Sequence, residues 1–300
     1  MAETASTLAS ILGSPRLAAV DSLAACVNDK VNAVFGREPL GPQVKSILNG
    51  TPLRHRLHPA LAQVSVGAWT TAFYLDVLAL LGDHRSRRYY RSGADAAIAL
   101  GIAGAVPAAC SGMADWADVS GSPRRYGMVH ALLNVAALSS YSISLAARRG
   151  KRRNDTLALA SAGIGFVALS VAAAIGGELV YNLGVNVPAS PALSPPEDFV
   201  DVLAGDELQP GDHRMVEVDD YPILLLRDER GDLRALQHWC PHAGAPLSEG
   251  ALEDGVITCP WHGSRFCIED GSPVRGPAAT PLPVFNVREQ DGRIFIGPPA

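Results

Sequence analysis

Apolar residues are spread unevenly along this chain. Between residues 59 and 175 they gather into four blocks, 59–81, 93–113, 127–147 and 156–175, with short loops carrying Arg, Asp and Pro between them. Each block is about 20 residues long, and as α-helix that length covers ~30 Å, the hydrocarbon thickness of a bilayer. All four are rich in Gly, Ala and Ser, the small residues that let helices approach closely inside a membrane. The pattern predicts four transmembrane helices; the competing reading is a soluble bundle of buried helices. Ahead of the blocks, Leu17, Val20, Ala24, Val27, Val31 and Val34 recur at a spacing of three or four, which predicts an amphipathic helix over 17–35. Gly36, Pro39, Gly41 and Pro42 should end it. After the blocks the pattern changes. Residues 221–227, 233–238, 256–258, 284–288 and 293–296 are short apolar-rich runs, with turn signals at 228–232, 253–255 and 290–292. Such runs predict β-strands.

These changes divide the chain into an N-terminal helical segment (1–53), a four-span domain (54–187), a proline-rich linker (188–197) and a small all-β domain (198–300). The expected fold class is multidomain: an α-helical four-span transmembrane bundle plus a small all-β domain. Composition agrees, with 48% hydrophobic and only 18% charged residues in 300. The linker carries Pro188, Pro191, Pro195 and Pro196, so it should be extended and semi-rigid. It could let the β domain swing between the membrane face and a partner. The amphipathic helix should dock on the bundle or pair with another copy, so a homo-oligomer stays open. A net charge of −5 without a basic stripe argues against nucleic acid as a partner. Two of five cysteines fall in a motif treated below; Cys26, Cys110 and Cys267 are scattered, and no structural disulfide is expected.

Loop charge gives an orientation. Arg85, Arg87, Arg88 and Arg91 follow the first block; Arg148, Arg149, Lys151, Arg152 and Arg153 follow the third. Both loops emerge on one face, which the positive-inside rule assigns to the cytoplasm. The chain ends and the β domain then lie on the outer side of a bacterial plasma membrane. Trp116, Tyr126 and Tyr181 should lie at the outer interface, with Tyr89 and Tyr90 at the inner one. Met1–Leu12 shows no signal peptide. Arg152-Arg153 resembles an internal twin-arginine export signal, and plain positive-inside charge explains it equally well. Asp76 and Asp95 lie near the inner face, where salt bridges to loop arginines would account for them.

Cys240-Pro-His242 and Cys259-Pro-Trp-His262-Gly-Ser264 carry the most chemistry. Each short loop mixes one thiolate with one imidazole. Usual zinc fingers pair like with like, whereas a Rieske [2Fe–2S] centre takes two Cys on one iron and two His on the other. The spacing therefore suits a one-electron carrier, with zinc as the alternative. The stretch HWCPHAGAPLSEG…ITCPWHGSRF resembles the cluster loops of Rieske ferredoxins and Rieske proteins generally. Gly276-Pro-Ala-Ala-Thr-Pro-Leu-Pro283 sits where that family has a proline-rich loop over the cluster. The resemblance implies an antiparallel β domain with Cys240 and Cys259 on one iron and His242 and His262 on the other. It also implies that the two histidines form the exposed edge and electron exit. The inter-loop disulfide of quinol-oxidising Rieske proteins is absent, since Ala245 and Trp261 hold those positions. Phe266 replaces a tyrosine that donates to a ligand sulfur there, while Ser264 keeps the other hydrogen-bonding position. With one sulfur hydrogen bond lost, the potential should fall in the lower half of the roughly −150 to +300 mV Rieske range.

The four-span region resembles a bacterial membrane domain of unassigned activity. The likeness rests on His58-Pro59, Gly67-x-Trp69, Asp76, Asp115-Trp116, His130-x-x-x-Asn134 and Gly176-Gly-Glu-Leu-Val-Tyr181. His58, Asp115, His130 and Glu178 should share the outer ends of their helices. They could bind a b-type haem or a quinone head group, or be polar helix ends satisfied by water. The chain reads as an electron-transfer protein or oxidoreductase subunit. It would exchange electrons with quinone or haem in the membrane and with a redox partner protein at the surface. A redox sensor, or a membrane-anchored ferredoxin whose bundle binds no cofactor, is the alternative from another class; a self-contained quinol oxidoreductase is a third.

Overall fold

The structure is a computed structural model that describes residues 14, 17–149, 153–187 and 194–300. Met1–Leu12, Arg152 of the arginine pair, and Pro188 and Pro191 of the linker lie outside the described residues. The chain forms two compact units. One joins Met1–Val34 to Leu57–Val185; the other joins Phe35–Arg56 to Asn186–Ala300.

The first unit is helical. Helix α1 (Ala18–Phe35) docks on it, as its amphipathic spacing suggested. Asn28 and Asn32 each donate to the Ala117 carbonyl at 3.0 and 3.1 Å, and Asp21 accepts a two-pronged pair from Arg125. Four long helices follow: α3 (Leu57–Leu81), α4 (His84–Trp116), α5 (Gly121–Arg149) and α6 (Asp155–Tyr181). The label α2 belongs to a short helix of the other unit. All four are long and apolar enough to cross a membrane, and each contains one of the expected blocks. Asp83 caps α4 by accepting from the Arg85 and Ser86 N–H groups, and Asn154 caps α6 through Leu157 N–H.

The bundle is small inside and large outside. Ala72, Ala137 and Ala162 are buried around a stacked Trp69–Tyr141 pair with ring centroids 4.4 Å apart. Leu100, Val135, Ile164 and Val167 are all exposed. Exposed branched aliphatics around an Ala-rich interior suit a lipid surround, where tight backbone approach rather than hydrophobic exclusion holds helices together. Tyr126, expected at the outer interface, is buried against Ile175, with Leu17 packed on the same cluster. Tyr181 and Tyr89 are exposed.

One charged cluster lies inside. Arg148 on α5 donates to both Asp76 oxygens (2.9 and 2.5 Å), to Asp95 (3.2 Å) and, through Nε, to Ser144 (3.1 Å). Its side chain is only 2% exposed. Arg91 pairs with Asp155 at 3.0 Å, tying α4 to α6. The expected arginine–aspartate bridges are therefore present, with Arg148 the buried member.

The second unit is antiparallel β. A six-stranded sheet runs β1 (Val200–Ala204), β10 (Arg293–Pro299), β9 (Val284–Gln290), β4 (Leu233–Gln237), β3 (Tyr221–Arg227) and β2 (His213–Val218). A smaller sheet runs β5 (Ala251–Glu253), β6 (Val256–Thr258), β7 (Arg265–Cys267) and β8 (Pro273–Arg275). Strand β3 is buried on both faces. Ile223 and Leu225 enter one core, while Leu224 and Leu226 enter another that also holds Cys240 and Cys259. Double burial explains why β3 reads as a continuous apolar run instead of an alternation. Helix α2 (Leu40–Asn49) and a 3₁₀ turn (Thr51–Leu53) belong to this unit. Helix α2 differs from the expectation that Gly41 and Pro42 break the chain, because a proline is tolerated in a helix's first turn.

Arg148→Ala should leave two carboxylates without their buried partner. The expected cost is about 3–5 kcal/mol, read as a lower unfolding temperature of the detergent-solubilised protein; Arg148→Lys should recover part of it.

Candidate metal centre

The two cysteine loops are the same turn made twice. The Cys240 N–H donates to the Ala245 carbonyl (2.9 Å), and the Gly244 N–H returns to the Cys240 carbonyl (2.8 Å). In the second loop Cys259 N–H donates to Ser264 (2.7 Å), and Gly263 N–H returns to Cys259 (3.2 Å). Gly244 and Gly263 both lie at positive φ, 75° and 68°, which L side chains resist. The shared spelling is Cys-Pro-x-x-Gly, five residues closed into a ring. The first loop joins β4 to β5, the second joins β6 to β7, and the loop over residues 276–283 joins β8 to β9.

The twin turns bring the four predicted residues together. The Cys240 and Cys259 sulfurs are in mutual hydrogen-bond contact. The His242 and His262 rings lie 4.8 Å apart, centroid to centroid, at 88°. Backbone N–H groups of His242 and Ala243 point at the Cys240 sulfur, and those of Trp261 and His262 at the Cys259 sulfur. Four N–H donors aimed at two sulfurs favour thiolates. Through its contact with Cys240, the Cys259 thiol is lowered to about 6, and that same contact pushes Cys240 up. Burial, with the positive charge of Arg56 next in weight, lowers His242 well below its usual range, so its imidazole is neutral and able to ligate. Among the described residues no three His, Cys, Asp or Glu side chains converge on single-ion geometry. A two-iron cluster instead needs a thiolate pair and an imidazole pair, and the donor set fits that group.

The expected exposed histidine edge is only half right. His242 is 5% exposed, and the charges of Lys45 and Arg56 reach it from the segment before the first long helix. His262 is the more open ring, beside Trp261, which is 55% exposed. Ser264 is fully buried, and its Oγ accepts from the Ala278 N–H at 3.0 Å. Phe266 is fully buried in the same core as both cysteines.

In the bundle, His58 and His130 meet edge to face with ring centroids 6.4 Å apart. Each Nδ1 sits 2.8 Å from a backbone carbonyl, Ala108 for His58 and Ala172 for His130. The Asn134 amide lies 3.1 Å from His130 Nε2. Asp115 is buried on α4, one turn beyond Gly112, which lies against His58. Glu178 accepts from Asn182 at 2.6 Å, a contact within the last turn of α6.

The comparisons agree with this geometry. Residues 198–286 match the Rieske [2Fe-2S] domain, and residues 54–189 match a predicted membrane protein family, DUF2231. The chain is 37% identical to Ferredoxin CarAc of Metapseudomonas resinovorans over 100 residues, covering 33% of this chain and 92% of that protein. It is 37% identical over 103 residues to human apoptosis-inducing factor 3, covering 34% of this chain but spanning only 17% of that relative's length. The ferredoxin of carbazole 1,9a-dioxygenase from Nocardioides aromaticivorans IC177 aligns at 29% identity and TM-score 0.33, over 34% of this chain and 99% of that one. The chain belongs to the Rieske [2Fe–2S] family, and its C-terminal unit is an electron-transfer domain that holds a [2Fe–2S] cluster. It is a fusion in which that domain follows a DUF2231 membrane domain of four apolar helices.

Phe266→Tyr should raise the midpoint potential and Ser264→Ala should lower it, because hydrogen bonds to cluster sulfurs stabilise the reduced state. Redox titration of the two variants against the parent checks both signs.

Proposed function

We propose that Cys240 and Cys259 hold one iron and His242 and His262 the other, and that the protein passes single electrons between the membrane and a redox partner at its surface. Bound there, the cluster supplies one-electron exchange. The observation that carries this reading is the pair of matched Cys-Pro-x-x-Gly turns, which face two sulfurs and two imidazoles toward one another. His262, with Trp261 exposed beside it, is the electron exit. The relatives suggest the kind of partner: one is named a ferredoxin, and a solved ferredoxin belongs to a dioxygenase system. A protein that accepts electrons across the Trp261 face fits this chain. The arginine-rich loops support a cytoplasmic position for their own face, hence an outer position for the Rieske domain. Domain limits of 54–187 for the bundle and 198–300 for the cluster domain fit this role, and a homo-oligomer is compatible with it.

On the membrane side, His58 and His130 are the place where haem or quinone would bind. Each Nδ1 is held at a helix carbonyl, as outer contacts hold metal-bound imidazoles, which turns Nε2 of His58 toward a ligand. A second reading is favoured by one contact. Asn134 occupies His130 Nε2, the nitrogen that a haem iron would need. In that reading the bundle carries no redox group, and the protein is an anchored ferredoxin or redox sensor.

A reduced-minus-oxidised visible spectrum of the full-length protein in mild detergent separates these readings. Sharp haem bands that vanish in His58→Ala and His130→Ala support the conduit. A broad cluster change alone removes haem, and quinol turnover then tests for quinone. Cys259→Ser should abolish the broad change; its survival would refute the ligand assignment.

A further inference from the structure

The loop that closes over the cluster site is held from two sides. From within, the Ala278 N–H donates to Ser264 Oγ at 3.0 Å. From without, the contacts come from residues 227 and 230 positions earlier in the chain. Thr51 Oγ1 donates to the Ala278 carbonyl at 3.0 Å, and Ser46 Oγ accepts from the Gly276 N–H at 2.9 Å. Thr51 is 4% exposed, so its bond is shielded from water. The fit is close at Gly276, where a Cβ would lie 2.6 Å from Thr51 Oγ1 and 3.3 Å from Ser46 Cα. Two ion pairs, Glu38–Arg275 at 3.6 Å and Arg54–Asp270 at 3.8 Å, mark the edges of the contact. Both are exposed and contribute little energy themselves.

We propose that residues 38–56 form a clamp on the cluster-covering loop, with Thr51, through Ala278, and Ser46, through Gly276, as positioning residues that act on Ser264. The inference rests on the ligand assignment proposed above. Its physical basis is a chain of hydrogen bonds. Thr51 fixes the Ala278 carbonyl, and Ala278 fixes the Ser264 oxygen as an acceptor. Ser264 then has one proton of its own to donate, in a direction set by that contact. Its carbonyl meanwhile accepts from the Cys259 N–H. A donor aimed at a cluster sulfur favours the reduced state, so a loosened loop should weaken that preference.

Potentiometric titration of the full-length, cluster-loaded protein, followed by electron paramagnetic resonance, tests this. Thr51→Val keeps the shape and removes the donor, Ser46→Ala removes the acceptor, and Thr51→Ser restores the hydroxyl. The expected result is a lower midpoint potential in the first two, an unchanged mixed-ligand spectrum, and the parental potential in Thr51→Ser. Parental potentials in both Thr51→Val and Ser46→Ala would overturn the clamp even if thermal stability falls, as would a Thr51→Ser variant as low as Thr51→Val. Should Thr51→Val lose its cluster, Ser46→Ala and Gly276→Ala decide: a lowered potential in either supports the clamp, and the parental value in both overturns it. The parent spectrum and its loss in Cys259→Ser judge the ligand assignment separately.

Discussion

Each cluster cysteine is pinned through its own backbone, giving its N–H to a carbonyl five residues on and receiving an N–H from a glycine four residues on. The second unit is organised around keeping those two small rings face to face. A thiolate pair and an imidazole pair must converge from separate loops, and loops are mobile unless their backbone groups are satisfied. The rings satisfy them locally. The core beneath, with Leu224, Leu236, Leu247 and Ile257 fully buried, then fixes the distance between the rings. Burial on both faces of β3 gives that floor its rigidity, since the strand is packed between two cores.

The bundle follows a different rule. Its interior is mostly small residues around Trp69, Tyr141, Ile98 and Leu169, and many of its branched aliphatics face outward. In such a structure a charge cannot be left alone, and Arg148 is held by two carboxylates and a serine from three helices. Arg148 therefore registers α3, α4 and α5 against one another as specifically as a large side chain would in a soluble core. The histidine pair differs in kind. Its ring nitrogens are satisfied largely by helix carbonyls, an arrangement that orients imidazoles without neutralising them.

Features with a local signature were legible in the sequence. Length and composition gave the four long helices, and the mixed Cys/His loops gave the site. Strands β3, β4, β6, β9 and β10 announced themselves as apolar runs. Strands β5, β7 and β8 are as short as β6 but lack its unbroken β-branched run, Val256-Ile257-Thr258. Strand β2 alternates, but with charged residues on its open side. Helix α2 was hidden by Pro42, which its first turn accepts. The contacts of Ser46 and Thr51 with Gly276 and Ala278 had no local signal at all. Nothing in a serine or a threonine reports a partner more than two hundred residues away. The burial of His242 went unforeseen for the same reason, because its electrostatic neighbours belong to that remote segment.

That remote segment also sets a rule of parity. The residues that clamp the loop precede the first long helix, and the loop itself follows the last. Two stretches can meet in water only if the chain between them crosses the bilayer an even number of times. Four helices satisfy this; three or five would strand the halves of one hydrogen-bonded contact in different compartments. Gain or loss of a single span, harmless to many membrane domains, would here sever a piece of the cluster domain from the rest.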